Sequence, residues 1–495
     1  MKRDLVRLGR SALIYGAGNV LIRGISLLLL PVFTAYLTTT DYGISSILGV
    51  LAFFLTPVFA LGLSGALGIV YFERGEADRK AATIWTAFVM LSLSGGLLSV
   101  SGVVAGGAIA TALFGDLATP YDLSYLVAVS LATAGMSIAC QPLLIHLQLE
   151  ERAKTFVALT AASSLLSIGL SVLFIVVLNR GVAGFLEAGL VAQSATLVAV
   201  LAVTIPRVRF ILGGRLALEL LRFGVPLMPS FVAVFAMQQA NKLILQAAEG
   251  VPAVGVYTVG FNIGLVATIV VSGFTSAWFP FFSSYMERQD EAPRVFARVL
   301  TYYLLGAGVV SLFFFVLARS AVLILTQPDF HGAYVAIGPS ALAQILIGVH
   351  SILLANMYLA KDVRYAVVVQ GAAAVATILV NLVLIAAMGI RGASIGLALG
   401  FGIMVVLQHA WNRWRGYLDV PYEWRRIGTL AIVYTLVAGF FLVERNWPVS
   451  TELVVGTITS AAVAVGSFGF LSQRERSEVF GLIRGRLQAG TANGA

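Results

Sequence analysis

The chain is poor in charge. Asp, Glu, Lys and Arg make up 11% of its 495 residues, against about 25% in a soluble globular protein. With 59% hydrophobic residues and a mean hydropathy of +0.94, it cannot cover itself with a polar surface. That excludes a soluble enzyme and a disordered chain. The one cysteine, Cys140, lies inside an apolar run. No intrachain disulfide can form, a disulfide scaffold is excluded, and cysteine says nothing about redox compartment. No Walker A sequence occurs. No His, Cys, Asp and Glu group has metal-ligand spacing, so neither a metal nor a cofactor is expected. The four His, two of them at run ends (His146 and His409), make no Ser-His-Asp set. Long hydrophilic loops are also missing. A membrane glycosyltransferase or polysaccharide polymerase would need them for its catalytic groups.

What is present is a series of unbroken apolar runs. A hydrocarbon core about 30 Å thick takes about 20 apolar residues as helix, whereas a β-barrel would show alternating strands of about 10 residues. The runs therefore read as an all-α polytopic membrane protein with fourteen spans. They cover approximately 11–37, 44–71, 82–113, 122–146, 156–178, 182–205, 223–246, 254–279, 298–319, 335–356, 366–388, 391–410, 428–443 and 452–471. The first run follows a basic start. It is too long for a signal-peptide core and lacks a clear cleavage site, so it reads as the first transmembrane helix. Pro31 and Pro57 fall inside the first two spans, where they are expected to kink them.

The net charge of +9 reads as topology rather than as affinity for nucleic acid. With a cytoplasmic N-terminus, 26 of the 32 Lys and Arg fall in segments on the cytoplasmic side. The exceptions are Arg23, Arg180, Lys242, Arg319, Arg391 and Arg445. A helix missed or invented mid-chain would destroy this asymmetry, so an even span count with both termini inside is expected. Segment 206–222 sets Leu216, Leu218, Leu220 and Leu221 beside Arg207, Arg209, Arg215 and Arg222, as an interfacial amphipathic helix would, and the tail from Gln473 holds a second such stretch. A faint repeat links Leu37–Gly43 with Gly250–Gly255: each is a short turn closing on Gly between long helices. The expected organisation is an N-lobe at 1–205, a linker at 206–222, a C-lobe at 223–410, two added helices at 411–471 and a cytoplasmic tail at 472–495. Two lobes about a central site is a transporter plan.

Arg23 is the most informative residue. It lies 12 residues into the first span, about 18 Å from its inner end. A charge at mid-membrane costs about 2.5–3.5 kcal/mol on insertion scales and faces a bundle interior or a wet cavity. Tyr15, Asn19 and Arg23 recur every four residues and share a helix face. The bland alternative is a structural cation paired with a carboxylate, for which Glu187 is the available partner. Lys242 shares a face with Gln238 and Gln246, about 10 Å nearer the outside by the repeat. Two cations at different depths would form a relay for an anion; a lysine snorkelling to the interface is the alternative. Asn262, Ser272, Thr275, Ser276, Gln370, Asn381 and Gln141 could line the same cavity or make interhelical hydrogen bonds. Glu187 and His350 are the candidates for proton coupling, although packing suits His350 better than a proton relay.

Residues 8–43, LGRSALIYGAGNVLIRGISLLLLPVFTAYLTTTDYG, resemble the opening of Wzx-type polysaccharide flippases of the multidrug/oligosaccharidyl-lipid/polysaccharide (MOP) exporter superfamily. Asn241–Leu245 and Val254–Tyr257 resemble the junction of that family's seventh and eighth helices. The resemblance implies two six-helix lobes in a V, alternating access, and a polyprenyl-diphosphate-linked oligosaccharide moved from the cytoplasmic to the outer leaflet of the bacterial inner membrane. The partners it implies are that glycan lipid, the bilayer, and polysaccharide polymerase and export machinery. A mid-membrane Arg suits the diphosphate. Two readings compete. A lipid II flippase of the same superfamily would carry several cavity arginines in its first lobe, where only Arg23 stands well inside the membrane here. A multidrug exporter would carry an acid in its first helix, which has none.

Overall fold

A computed structural model of the chain describes residues 24–469, apart from 26, 74–76, 287, 289 and 444–446. Among the described residues all secondary structure is helical, because no backbone donor can be left open in lipid. Eleven helical stretches of the described residues are long and apolar enough to cross a membrane. The chain is therefore a multi-pass membrane protein.

The first group comprises α1 (Leu30–Tyr36), α2 (Thr39–Phe59), α3 (Leu63–Glu73), α4 (Ala77–Phe114), α5 (Leu123–Leu149), α6 (Ala153–Val172) and α7 (Gly181–Thr204). Both expected kinks are present as interruptions. The chain turns at Leu29, just before Pro31 in the first turn of α1. Pro57 is followed by a break at Leu61 and Gly62, both with positive φ. The turn into α2 is fixed by a capping box. The Thr38 hydroxyl accepts from Asp41 N at 3.1 Å, and the Asp41 carboxylate accepts from Thr38 N at 2.9 Å, which satisfies two donors at the helix start.

The expected amphipathic linker is helical only from Gly214, as α8 (Gly214–Gly224). Residues 205–208 turn instead and 209–213 run without helix, held against α4: the Trp85 indole donates to Val208 O at 3.1 Å, and Gly213 N donates to the Thr86 hydroxyl at 3.0 Å. Arg79 grips both oxygens of Glu219 at 2.9 Å. The linker therefore rides on the first group.

The second group comprises α9 (Met228–Glu249), α10 (Val251–Gly264), α11 (Thr268–Ser283), α12 (Ala292–Val316), α13 (Ala318–Leu325), α14 (Tyr334–Leu359) and α15 (Ala366–Trp414). α9 is long enough to cross but too polar to count among the eleven. α15 is two helices meeting at Gly389, whose φ of 53° and ψ of −127° are non-helical. The two legs run antiparallel, since a Cβ at Gly396 would lie 2.4 Å from Asn381 Oδ1 and one at Gly400 2.5 Å from Thr377. This is the break expected between 388 and 391. The short α13 was not foreseen: the span expected to end at 319 stops at Val316, and α13 follows one residue later.

Two further helices, α16 (Trp424–Leu442) and α17 (Val449–Gly469), pack on α12 through Tyr434 at Gly308 and Gly456 at Val316. Arg319 lies 4.0 Å from the buried Glu452, tying α13 to α17. The second amphipathic stretch expected after Gln473 lies outside the described residues.

Candidate functional site

The two groups meet chiefly through α2 with α9 and α10. The contact is close because it is made at glycines. A Cβ at Gly43 would stand 2.1 Å from Val251 O, and one at Gly255 would stand 1.9 Å from Thr39 O. Three residues on, the Thr258 hydroxyl donates to the Ser46 hydroxyl at 2.8 Å across a separation of 212 residues. Gly43 and Gly255 differ by the same 212. The repeat seen in the sequence therefore becomes two equivalent helices packed side by side. Around them Tyr42 meets Phe330 edge-on at 5.2 Å, and the Gln246 amide donates to Leu113 O. Deeper, the Phe53 and Phe235 rings lie 4.2 Å apart. These contacts belong to the face of the turns at 37–39 and 250, opposite the Lys- and Arg-rich loops.

Beside this contact lies a cavity of about 590 Å³. Leu27, Leu30 and Phe33 form one wall, and Tyr42 and Ser45 of α2 another. α6 contributes Ser163, Ser164, Ser167 and Ser171; α7 contributes Phe185, Gly189 and Gln193. Ser163, Ser167 and Ser171 recur every four residues, which aligns them on one helix face. Asn262 of α10 reaches in from the other group. It lies 11 residues from the start of α10, about 16 Å deep. Ser45 donates to Tyr42 O at 3.0 Å, and Ser163 accepts from Thr196 at 2.5 Å. Ser167, Ser171 and Asn262 have no hydrogen-bond partner among the described residues. No charged side chain of the described residues lines the cavity.

The residues named from the sequence distribute unevenly around it. Asn262 lines it. Lys242 does not: it is 6% exposed and sits 4.9 Å above the Phe261 ring, with no ion-pair partner among the described residues. Its neighbour Asn241 donates to Tyr257 Oη at 2.6 Å and to Ala393 O at 3.3 Å. Gln238 is half-buried, and Gln246 is engaged with Leu113. Glu187 accepts from Arg180 and from the Tyr125 hydroxyl, each at 2.7 Å, so the partner proposed for Arg23 is occupied by another arginine. His350 is buried in the second group, where Gln408 donates to Asn412 Oδ1 and Asn412 to Leu353 O, both at 2.9 Å. Thr275, Ser276 and Asn381 hydrogen-bond to carbonyls one turn back on their own helices. Tyr15, Asn19 and Arg23 lie outside the described residues. The α6 serines escaped the sequence reading. Their four-residue spacing was visible in it, but Ser is common in apolar helices and satisfies itself on the preceding turn.

The family described as "Polysaccharide biosynthesis protein" matches residues 8–286, more than half of the chain. None of the curated proteins matches it. Among solved structures, the chain is similar to the lipid II flippase MurJ in an inward closed conformation (TM-score 0.69, 12% identity, 93% of this chain and 98% of that one). It is similar to an inward-facing multidrug resistance MATE family transporter of the MOP superfamily (TM-score 0.63, 16% identity, 80% and 98%). It is also similar to a MOP superfamily transporter from Pyrococcus furiosus (TM-score 0.58, 15% identity, 81% and 95%). The chain belongs to the polysaccharide biosynthesis protein family and has the MOP transporter fold.

Proposed function

We propose that this member of the polysaccharide biosynthesis family moves a polyprenyl-diphosphate-linked oligosaccharide across the bacterial inner membrane by alternating access. The observation that carries this reading is the cavity beside the contact between the two helix groups, whose described lining holds serines, Gln193 and Asn262 and no charged side chain. Sugars need such a surface; a hydrophobic drug does not. In this reading the basic loops are cytoplasmic, both termini lie inside, and the glycine contact of α2 and α10 closes the outer side. Residues 1–205 and 223–410 rock against each other, with 206–222 as their joint. The prenyl tail stays in lipid.

Arg23 is proposed as the diphosphate anchor. It precedes the cavity residue Leu27 by four positions, the spacing of one helix face. The repeat supports this placement: Phe53 meets Phe235, and the 212-residue offset maps that pair onto residue 23 and Leu265, which lines the cavity. Lys242, with Gln238 and Gln246, is proposed to meet the anion once Phe261 swings away. Glu187 is engaged with Arg180, and His350 lies away from the cavity, which leaves His350 the better coupling candidate of the two. The lipid II reading ranks second, because the described lining lacks the arginines it would require.

The test is exposure of the glycan in the outer leaflet of proteoliposomes holding the wild type or Arg23→Ala. Translocation that Arg23→Ala abolishes supports both the class and the anchor. Wild-type translocation that survives in normally folded Arg23→Ala refutes the anchor. Export of a cationic dye with no glycolipid movement refutes the class.

A further inference from the structure

We propose that His350 binds a proton during the transport cycle and that Gln408 and Asn412 are its positioning residues, aiming a hydrogen-bond acceptor at the ring. The inference rests on the function proposed above and assigns the coupling group of that reading. His350, Gln408 and Asn412 lie between α14 and α15 and are 6%, 0% and 4% exposed. A titratable side chain buried within a membrane bundle marks a functional position. The imidazole Nε2 and Gln408 Oε1 are both buried without a hydrogen-bond partner among the described residues. The Gln408 side chain lies beside the ring.

The chain of amides fixes which atom Gln408 presents. A backbone carbonyl only accepts, so the group that Asn412 turns to Leu353 O at 2.9 Å is its NH2. Its Oδ1 then faces Gln408, which must offer its own NH2, again at 2.9 Å. The end of Gln408 left over is Oε1, an acceptor. Turning either amide around would break the chain that starts at Leu353. Gln408 is therefore set to accept from the ring, and such a bond is stronger when the ring is charged. A neutral imidazole that donates to Gln408 keeps its other nitrogen open to take the proton.

The elements around His350 supply no better acceptor. α11 reaches it through Trp278, whose indole donates to Ser351 O at 3.1 Å, and α12 through Tyr303, which crowds Gly348. None of α11, α12, α14 and α15 contains Asp or Glu, and α11 has no titratable side chain. On α12, the Tyr303 hydroxyl donates to Ile345 O at 3.0 Å, while Arg294, Arg298 and Tyr302 are exposed. On α14, Tyr334 begins the helix and Tyr358 packs on Phe279 and Phe282. On α15, His409 faces the Tyr422 and Trp424 rings, and Arg391 and Arg413 are exposed near its central turn and its end. Among these helices the acceptor for a charged His350 is an amide, so its proton is held weakly enough to leave again.

The experiment follows a polyprenyl-diphosphate disaccharide to the outer leaflet of proteoliposomes holding the full chain, over a range of pH set equal on both sides. The wild-type rate is expected to vary with pH, and His350→Gln to flatten that profile. Gln408→Leu removes the acceptor. The lost bond favours the protonated ring, so the midpoint is expected to fall by about one pH unit, the difference between a hydrogen bond to a charged and to a neutral group. Gln408→Glu is expected to raise the midpoint, because a carboxylate holds the imidazolium more tightly. Asn412→Leu frees the Gln408 amide to turn and is expected to shift the midpoint in the direction of Gln408→Leu. A merely structural role would lower the rate at every pH and leave the midpoint in place. A wild-type rate that ignores pH, or a wild-type profile kept in His350→Gln, overturns the inference and leaves the flippase reading standing. Unmoved midpoints in folded Gln408→Leu and Gln408→Glu overturn it as well. No movement of the probe at any pH overturns the flippase reading itself. If His350→Gln does not fold, the opposite shifts of the two Gln408 variants carry the test.

Discussion

A methyl group at position 255 tests the closure between the two helix groups. In Gly255→Ala the new Cβ would stand 1.9 Å from Thr39 O and 3.0 Å from Gly43 N. A carbon and a carbonyl oxygen settle at about 3.3–3.6 Å, so α2 and α10 must separate by more than about 1 Å. Neither atom can yield alone, because both belong to helix backbone. Overpacking of this kind costs about 1–3 kcal/mol, and the cost falls on the closed state, since the two helices are apart when that face opens. The closed-to-open ratio should then fall by about 5- to 140-fold, at 1.4 kcal/mol per decade. The assay places a cysteine at Ser45, which lines the cavity, in a chain whose buried Cys140 is replaced by serine. A membrane-impermeant maleimide is added on the face opposite the basic loops. While the open form is scarce, labelling tracks its population, so Gly255→Ala should raise the rate by the same factor. An unchanged rate in folded protein would mean that the glycine contact is not what closes that face.

Lys242→Met should leave thermal stability in detergent unchanged or raise it, because it removes a buried charge that has no ion-pair partner among the described residues; a clear loss of stability would show that the ammonium is a structural cation. Tyr257→Phe removes the acceptor of the 2.6 Å bond from Asn241 and should cost about 0.6–1.7 kcal/mol by thermal shift. Glu187→Gln should leave the pH profile of translocation unaltered, since Arg180 and Tyr125 already hold that carboxylate; a lost pH dependence would restore Glu187 as a coupling group. Asp362 lies in the loop before α15 and is held below the usual carboxylate value, first by the Tyr417 hydroxyl and then by Arg415 and Arg364. What it adds to stability is present above that usual value and fades as pH falls through the folded one. Asp362→Asn should therefore lower the melting temperature at neutral pH and lose its effect in acid; a gap that persists in acid would refute the pairing.

The membrane fold was legible because its causes are local. A helix long and apolar enough to cross, the Thr38–Asp41 cap, the breaks near Pro31, Pro57 and Gly389, and the bias of Lys and Arg to one face each depend on a few adjacent residues. Asn262 was legible as a polar residue in an apolar helix, and the structure places it at the cavity. Where the reading went astray, the cause was a competing contact at a distance. Residues 206–213 belong to the expected amphipathic segment, yet Trp85 and Thr86 capture their backbone and keep them out of the helix. Gln246 shares a helix face with Lys242, but Leu113 of another helix occupies its amide. The serines of α6 looked like ordinary apolar-helix serines, and only the packing of α6 against its neighbours sets Ser163, Ser167 and Ser171 along the cavity.

By itself, then, the sequence determined that the protein is an all-helical membrane protein, which runs are helical and which loops share a face, because lipid compels each segment to satisfy its own backbone. It also carried the 212-residue repeat as a weak likeness of two turns. The tertiary structure alone decided that the two turns pack against each other at Gly43 and Gly255, and that Lys242 lies beneath Phe261 instead of in the cavity. It also decided that serines of α6 and Asn262 of α10 line one cavity. Those outcomes depend on which helix faces meet, and in a chain whose helices are apolar nearly all round, no hydrophobic stripe tells one face from another.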